Sequence, residues 1–186
     1  MAKIRSFIAV DVEDRELRQQ FTEFQKKLLE AGADMKLVAP ENMHLTLRFL
    51  GEVEEEKIQR VIDAMSLLRI QPFDIRFAGT GAFPSLNRIN AVWAGVKDGG
   101  EELMKIVGEL EPRLRTIGIP PDKKGFSPHL TIARVKTGRS KDKIAELIRK
   151  LSDKDFGSFK VESIRLKKSV LAPSGPTYYT IFEVKT

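Results

Sequence analysis

Two hydrophobic rhythms alternate along this chain. Arg5–Val10 (RSFIAV) is an apolar run of strand length, and from about Glu13 to Ala31 the residues Leu17, Phe21, Phe24 and Leu28 recur at helical spacing. Asp11 or Asp14 is placed to cap that helix, and Gly32 sits where a C′ glycine ends one. An extended piece, Met35 to Val38, leads through Pro40 to a strand from His44 to Leu50, which Gly51 closes. A second helix spans about Glu54 to Leu68, with Ile58, Val61, Ile62 and Met65 inward. Strand-like segments at Phe73–Phe77 and around Ala82-Phe83 complete the first half.

The second half runs through the same order. Asn90–Val96 (NAVWAGV) reads as a strand and about Glu101 to Ile117 as a helix, which Pro112 is expected to kink or divide. A polar, basic loop, Pro120–Gly125, precedes a strand at His129–Val135. A helix from about Lys141 to Leu151 and strands at Phe159–Leu171 and Tyr178–Val184 follow. Shifting the first half by 85 residues lays Phe7-Ile8-Ala9 on Val92-Trp93-Ala94. A shift of 86 lays Ile58, Val61, Ile62 and Met65 on Ile144, Leu147, Ile148 and Leu151. That period is too long for a solenoid repeat. The expectation is a bilobal α+β fold of two similar β-α-β-α-β units, roughly residues 4–84 and 89–184, packed about a pseudo-twofold axis. No linker-like or low-complexity segment separates the halves, so residues 1–186 read as one integrated, two-lobed domain.

The repeat gives meaning to the only two histidines. Both open the same tetrapeptide, His44-Leu45-Thr46-Leu47 and His129-Leu130-Thr131-Ile132. On a strand, each histidine shares a face with the threonine two residues on, while the apolar residues turn the other way. A pseudo-twofold axis would bring the two polar faces together across a cleft. Imidazole titrates near neutrality, so a facing pair can supply a base and an acid at once, with Thr46 and Thr131 as donors to phosphoryl oxygens. Arg48 has the parity of His44 and Thr46, which makes it a candidate phosphate-binding cation. Arg134 falls on the Leu130 side unless the strand bulges or ends there.

Composition narrows the chemistry. There are no cysteines, which excludes disulfides and thiol catalysis, and two histidines alone leave no zinc cluster. Neither a metal nor another cofactor is expected. No stretch is apolar enough to span a membrane, and the N-terminus lacks a signal peptide's long apolar core, so a cytoplasmic protein is expected. The formal charge of +6 favours a polyanionic partner, although a solvated lysine-rich surface has the same composition.

The paired motifs resemble the two-histidine phosphoesterase superfamily and, more narrowly, the archaeal and bacterial RNA 2′,3′-cyclic phosphodiesterases, also called 2′-5′ RNA ligases. The stretches carrying the resemblance are Arg5-Ser6-Phe7-Ile8-Ala9, His44 to Gly51 (HLTLRFLG), Phe83-Pro84-Ser85, Trp93-Ala94-Gly95-Val96 and Phe126 to Arg134 (FSPHLTIAR). It covers essentially the whole chain. The resemblance implies antiparallel sheets lining the cleft and metal-free opening of an RNA terminal 2′,3′-cyclic phosphate to a 2′-phosphomonoester. It implies His44 as proton donor to the leaving 3′ oxygen, His129 as base on water and Arg134 as phosphate ligand. With a 5′-hydroxyl in place of water, the same chemistry joins RNA halves, such as tRNA halves, through a 2′-5′ bond.

Other residues carry double readings. Phe126, Phe83, Tyr178 and Tyr179 are candidates for stacking on a terminal base, against the commoner role of strand aromatics in the core. Lys123-Lys124 and Arg165, Lys167 and Lys168 are candidates for holding RNA backbone, or form a solvated face. Trp93, inside an apolar strand, reads as core. Two other functions share these residues: a two-histidine enzyme for small cyclic nucleotides or ADP-ribose cyclic phosphate, and a non-catalytic RNA-binding protein. A monomer is expected.

Overall fold

In the computed structural model, which describes residues Met1–Thr186, the first apolar run becomes strand β1 (Lys3–Asp11). Its centre, Ser6 to Val10, is buried, and both of its edges are paired, with β1 in the interior of a sheet. Asp14, not Asp11, caps helix α1 (Arg15–Glu30): its carboxylate accepts the Leu17 N–H at 2.8 Å. The chain continues as β2 (Met35–Leu37), a single 3-10 turn (Pro40–Asn42), β3 (His44–Glu54), α2 (Glu55–Ser66) and β4 (Phe73–Pro84). Then come β5 (Ile89–Asp98), α3 (Gly100–Thr116), β6 (His129–Val135), α4 (Lys141–Lys150), β7 (Asp155–Val161), β8 (Ser163–Ala172) and β9 (Gly175–Lys185).

Four elements differ from the pattern-based expectation. Strand β3 is not closed by Gly51 but runs on to Glu54. The two segments around Phe73 and Phe83 form one strand, continuous through irregular pairing between Phe77 and Thr80. Phe159–Leu171 is two strands that turn at Glu162 and pair in different sheets. Helix α3 is not divided at Pro112, since Leu103, Ile106, Val107, Leu110 and Leu114 bury one face along its whole length. Packing of that stripe outweighs the missing hydrogen bond.

The strands form two antiparallel sheets, ordered β3-β1-β8-β9 and β2-β6-β5-β4-β7. The repeats are interleaved. Strand β4, from the first half, pairs in the second sheet, while β8 and β9, from the second half, complete the first. Helix α1 packs against β6 and β7, and α3 packs against α2 and β3. One cluster of 38 buried apolar residues draws on both halves, so neither half has a core of its own. No helix is long and apolar enough to cross a membrane.

Each motif strand carries a bulge at the same place. Across β1 and β3, Ala9 pairs with Thr46 and Ile8 with Arg48, which leaves Leu47 as the extra residue. Across β5 and β6, Trp93 pairs with Thr131 and Val92 with Ala133, which leaves Ile132 extra. One extra residue reverses the alternation beyond it. Arg48 and Ala133 therefore turn into the buried side, and Phe49 and Arg134 turn out. The second bulge is pinned from behind. The Ile132 carbonyl accepts the Val38 N–H and the side-chain amide of buried Gln25, each at 3.0 Å.

Candidate active site

The sheets enclose a cleft of about 630 Å³ whose walls include His44 and Thr46 of β3, His129, Thr131 and Arg134 of β6, and Tyr178 of β9. The motif residues that lie 85 positions apart in sequence thus line one space. Each imidazole is held in the same way. His44 Nδ1 lies 2.6 Å from the carbonyl oxygen of Asn42, and His129 Nδ1 lies 2.7 Å from that of Ser127. A carbonyl only accepts, so Nδ1 carries the hydrogen in both rings and Nε2 is the nitrogen left for substrate. His44 Nε2 sits 3.0 Å from Thr46 Oγ1, and the neutral ring accepts that hydroxyl's hydrogen.

The rings differ in their surroundings. Phe7 lies 4.9 Å from the His44 ring, and Tyr178 meets that ring edge-on at 5.3 Å. Phe83 meets the His129 ring edge-on at 4.7 Å, with Trp93 at 6.5 Å. Burial among these aromatics holds both imidazoles below their ordinary pKa, because an apolar wall disfavours the cation. At His44 the Asn42 carbonyl and the Asp11 carboxylate oppose that effect, while Lys167 and Arg134 add to it. At His129 the Ser127 carbonyl opposes it and Arg134 adds to it.

The bulges decide which arginine reaches the cleft. Arg134 lines it; Arg48 does not. Arg48 is buried on the helix side, paired with Glu111 of α3 and donating to the carbonyls of Pro120 and Phe49. It ties α3 and the following loop to β3, and its expected phosphate contact is withdrawn. Phe126 is misplaced in the same way: it packs beside Leu47 and Arg48 outside the cleft, and is not available to a base there. Tyr178 lines the cleft, whereas Tyr179 points away from it and is exposed. Phe83 stands exposed beside His129.

Trp93 is not core. It lies on the same face of the sheet as His129, over Gly81, whose missing Cβ would come 2.1 Å from the indole. Only glycine leaves room for that ring. Arg165 and Lys167 are spoken for as well: both bind Asp11, and Arg165 also binds Glu13 and Glu183. Lys123 and Lys124 are exposed in their loop, outside the cleft.

Pattern reading missed Phe49, Arg5 and Lys36, all of which line the cleft. The Arg5 guanidinium lies over the Phe49 ring at 4.8 Å, which builds a cationic, aromatic wall on the β3 side. The HLTLRFLG run held the signal for Phe49, but only an anticipated bulge could have turned it outward. No group of three or more His, Asp or Glu side chains is arranged to ligate a metal ion.

The chain as a whole has known counterparts. The sequence model described as "LigT like Phosphoesterase" matches the chain twice, over residues 10–93 and 95–178. The chain belongs to the LigT-like phosphoesterase family. A family relative from Archaeoglobus fulgidus, named RNA 2′,3′-cyclic phosphodiesterase, is 42% identical over 175 residues, 94% of this chain and 96% of its own. One of the same name from Methanocaldococcus jannaschii is 37% identical over 97% of this chain and 99% of its own. Among solved structures, TT0787 of Thermus thermophilus superposes with a TM-score of 0.82 at 30% identity, covering 98% of this chain and 97% of that one. LigT of E. coli, solved with 3′-AMP, superposes at 0.79 with 23% identity, covering 98% of each, and shares the fold.

Proposed function

We propose that this LigT-like phosphoesterase opens the 2′,3′-cyclic phosphate at the end of an RNA without a metal, leaving a 2′-phosphomonoester and a free 3′-hydroxyl. The observation that carries this reading is the pair of imidazoles on one cleft, each with Nδ1 fixed to a carbonyl, with His44 Nε2 meeting Thr46 Oγ1 and His129 Nε2 carrying no protein hydrogen bond. Two relatives that share most of their length with the chain bear the name of that activity.

In this mechanism His129 Nε2, neutral, takes a proton from water as the oxygen attacks phosphorus. The bond from phosphorus to the 3′ oxygen breaks, and His44 Nε2–H gives that oxygen its proton. Thr46 and Thr131 donate to the phosphoryl oxygens, and Arg134 offsets the charge that builds on them. Phe49, Phe83 and Tyr178 offer ring faces and edges to the terminal base. A 5′-hydroxyl in the place of water turns the same steps into 2′-5′ ligation of RNA halves, tRNA halves among them. One chain supplies both histidines, so a monomer carries a complete cleft.

The test is incubation of an RNA ending in a 2′,3′-cyclic phosphate with the protein and excess chelator, followed by identification of the product. A 2′-phosphate end supports the reading. A 3′-phosphate end, or activity that chelator removes and added divalent metal restores, overturns it. Turnover of cyclic mononucleotides with none of RNA would point instead to a small-molecule enzyme.

A further inference from the structure

A second cationic recess lies away from the catalytic cleft. It is a cavity of about 310 Å³ between the β4–β5 turn and the segment joining β6 to α4, and its walls include Arg88, Lys136, Arg139 and Lys141. No aspartate or glutamate lines it. None of the four cations takes part in an ion pair of the folded chain. Ion pairs hold seven cations elsewhere, among them Arg165 and Lys167 on Asp11, Arg48 on Glu111 and Lys150 on Glu146; what sets these four apart is that they share one hollow with no acid in its lining. Four unpaired like charges around one hollow repel one another, and an anion in the hollow would relieve that repulsion.

The recess is joined to the cleft by β6. Arg134 faces the cleft, and Lys136 follows two residues on, just past the end of the strand. Lys36 stands opposite Arg134 on β2 and also lines the cleft. Like charges directly opposite each other destabilise a strand pair, so this arrangement too suits a bound anion. From His129 to Val135 the strand covers roughly 20 Å. A terminal nucleotide with its phosphate at the histidines cannot also reach the recess. A polymer can.

Resting on the reading of the cleft given above, we propose that Arg88, Lys136, Arg139 and Lys141 form a second site, which holds the phosphodiester backbone of the RNA a few nucleotides upstream of the reacting end. The site makes the protein prefer an RNA chain over a cyclic mononucleotide, although both present the same reacting group.

The experiment compares the intact protein with Arg88→Glu/Arg139→Glu on two substrates, a dodecanucleotide ending in a 2′,3′-cyclic phosphate and a 2′,3′-cyclic mononucleotide. Expected is a several-fold or larger fall in kcat/KM for the oligonucleotide alone, with a salt dependence shallower by about 0.7 for each phosphate no longer neutralised. An equal fall on both substrates would mark a structural defect, and no fall on either would mark a solvated surface; each overturns the proposal. If the unaltered protein opens neither substrate, the reading of the cleft fails, and the recess is then judged by fluorescence anisotropy of the same RNA carrying a 3′-phosphate. Weaker binding by the variant supports a backbone site, and equal binding overturns it. Inorganic phosphate at matched phosphate concentration should compete poorly; full competition would reduce the recess to a general anion site and overturn the proposal.

Discussion

Asp11 is the cross-strand partner of His44, and the position that answers it opposite His129 is Gly95. The two motif strands are alike, but their neighbours are not. The Asp11 carboxylate binds Lys167 Nζ at 2.7 Å and an Arg165 guanidinium nitrogen at 2.8 Å. Gly95 cannot be given a matching acid, because a Cβ there would lie 2.9 Å from the Ala78 carbonyl oxygen. His44 therefore answers to a local charge network that His129 lacks.

The groups facing His44 are Asp11 of β1, Lys167 of β8, Arg134 of β6 and the phenol of Tyr178. As the acid, His44 must be protonated, so the rate falls as pH rises through its pKa. Lys167→Met removes a cation that disfavours the imidazolium, and the alkaline limb of the kcat/KM profile should move to higher pH. Asp11→Asn removes the charge that favours it, and the limb should move lower. The limbs belong to the coupled pair, so the direction of movement is what the measurement reads. Shifts of the same sign in both variants would contradict an electrostatic link.

The roles of the two rings separate by leaving group. A substrate whose 3′ leaving group needs no protonation should restore most of the rate to His44→Ala. His129→Ala should stay slow on it, because water still lacks a base. Rescue of His129→Ala alone would reverse the assignment and keep the two-histidine mechanism.

The arginines should part company by observable. Arg134→Met should lower kcat on the order of 10²-fold with little change in melting temperature, since on the proposed mechanism it removes the cation that offsets charge on the phosphoryl oxygens. Arg48→Met should do the opposite. It leaves Glu111 and the Pro120 carbonyl without their partner, at a cost of about 1–3 kcal/mol in stability. Denaturation midpoints and steady-state rates on the same preparations check both. A catalytic loss at Arg48 without a stability loss would mean that the bulge does not control access to the cleft.

Those arginines also mark where the sequence stops being legible. The motif faces could be read, because His44 with Thr46 and His129 with Thr131 precede the bulges and period-2 alternation still holds. Beyond Leu47 and Ile132 it fails, and neither residue type announces an insertion. What fixes the second bulge is Gln25, more than 100 positions away in sequence, and no local pattern carries that contact. Alternation alone would have turned Arg134 inward, whereas the bulge brings it to the cleft wall. The interleaving of the repeats was equally hidden, since periodicity shows that β4 and β8 exist but not which sheet each joins. Trp93 looked like core because its neighbours are apolar; Gly81, the residue that makes room for it, pairs from a different strand.

Both histidines should also leave a mark on stability against pH. Each is held below its ordinary pKa in the folded protein, with burial the largest cause. In the unfolded chain an imidazole takes its proton near pH 6.5, whereas in the fold it does so only at lower pH. Between those points the unfolded state binds more protons, so stability rises with pH there. The histidine contribution is fully present above about pH 6.5 and is lost as pH falls through the window beneath it. Against the effect of its burial, Asp11, the carboxylate opposite His44, is held below its ordinary pKa by Lys167 and Arg165, and the carboxylates common to both proteins cancel in the comparison. Denaturant midpoints at pH 7.5 and 5.5 should therefore fall further for the unaltered protein than for His44→Gln/His129→Gln, whose amides cannot take up the proton. The comparison belongs in phosphate-free buffer, since an anion between the rings would favour both imidazolium ions and raise their pKa values. An equal loss in the two proteins would mean that the cleft does not disfavour charge on the imidazoles. His129 would then have no reason, on burial grounds, to stand neutral as the base near physiological pH.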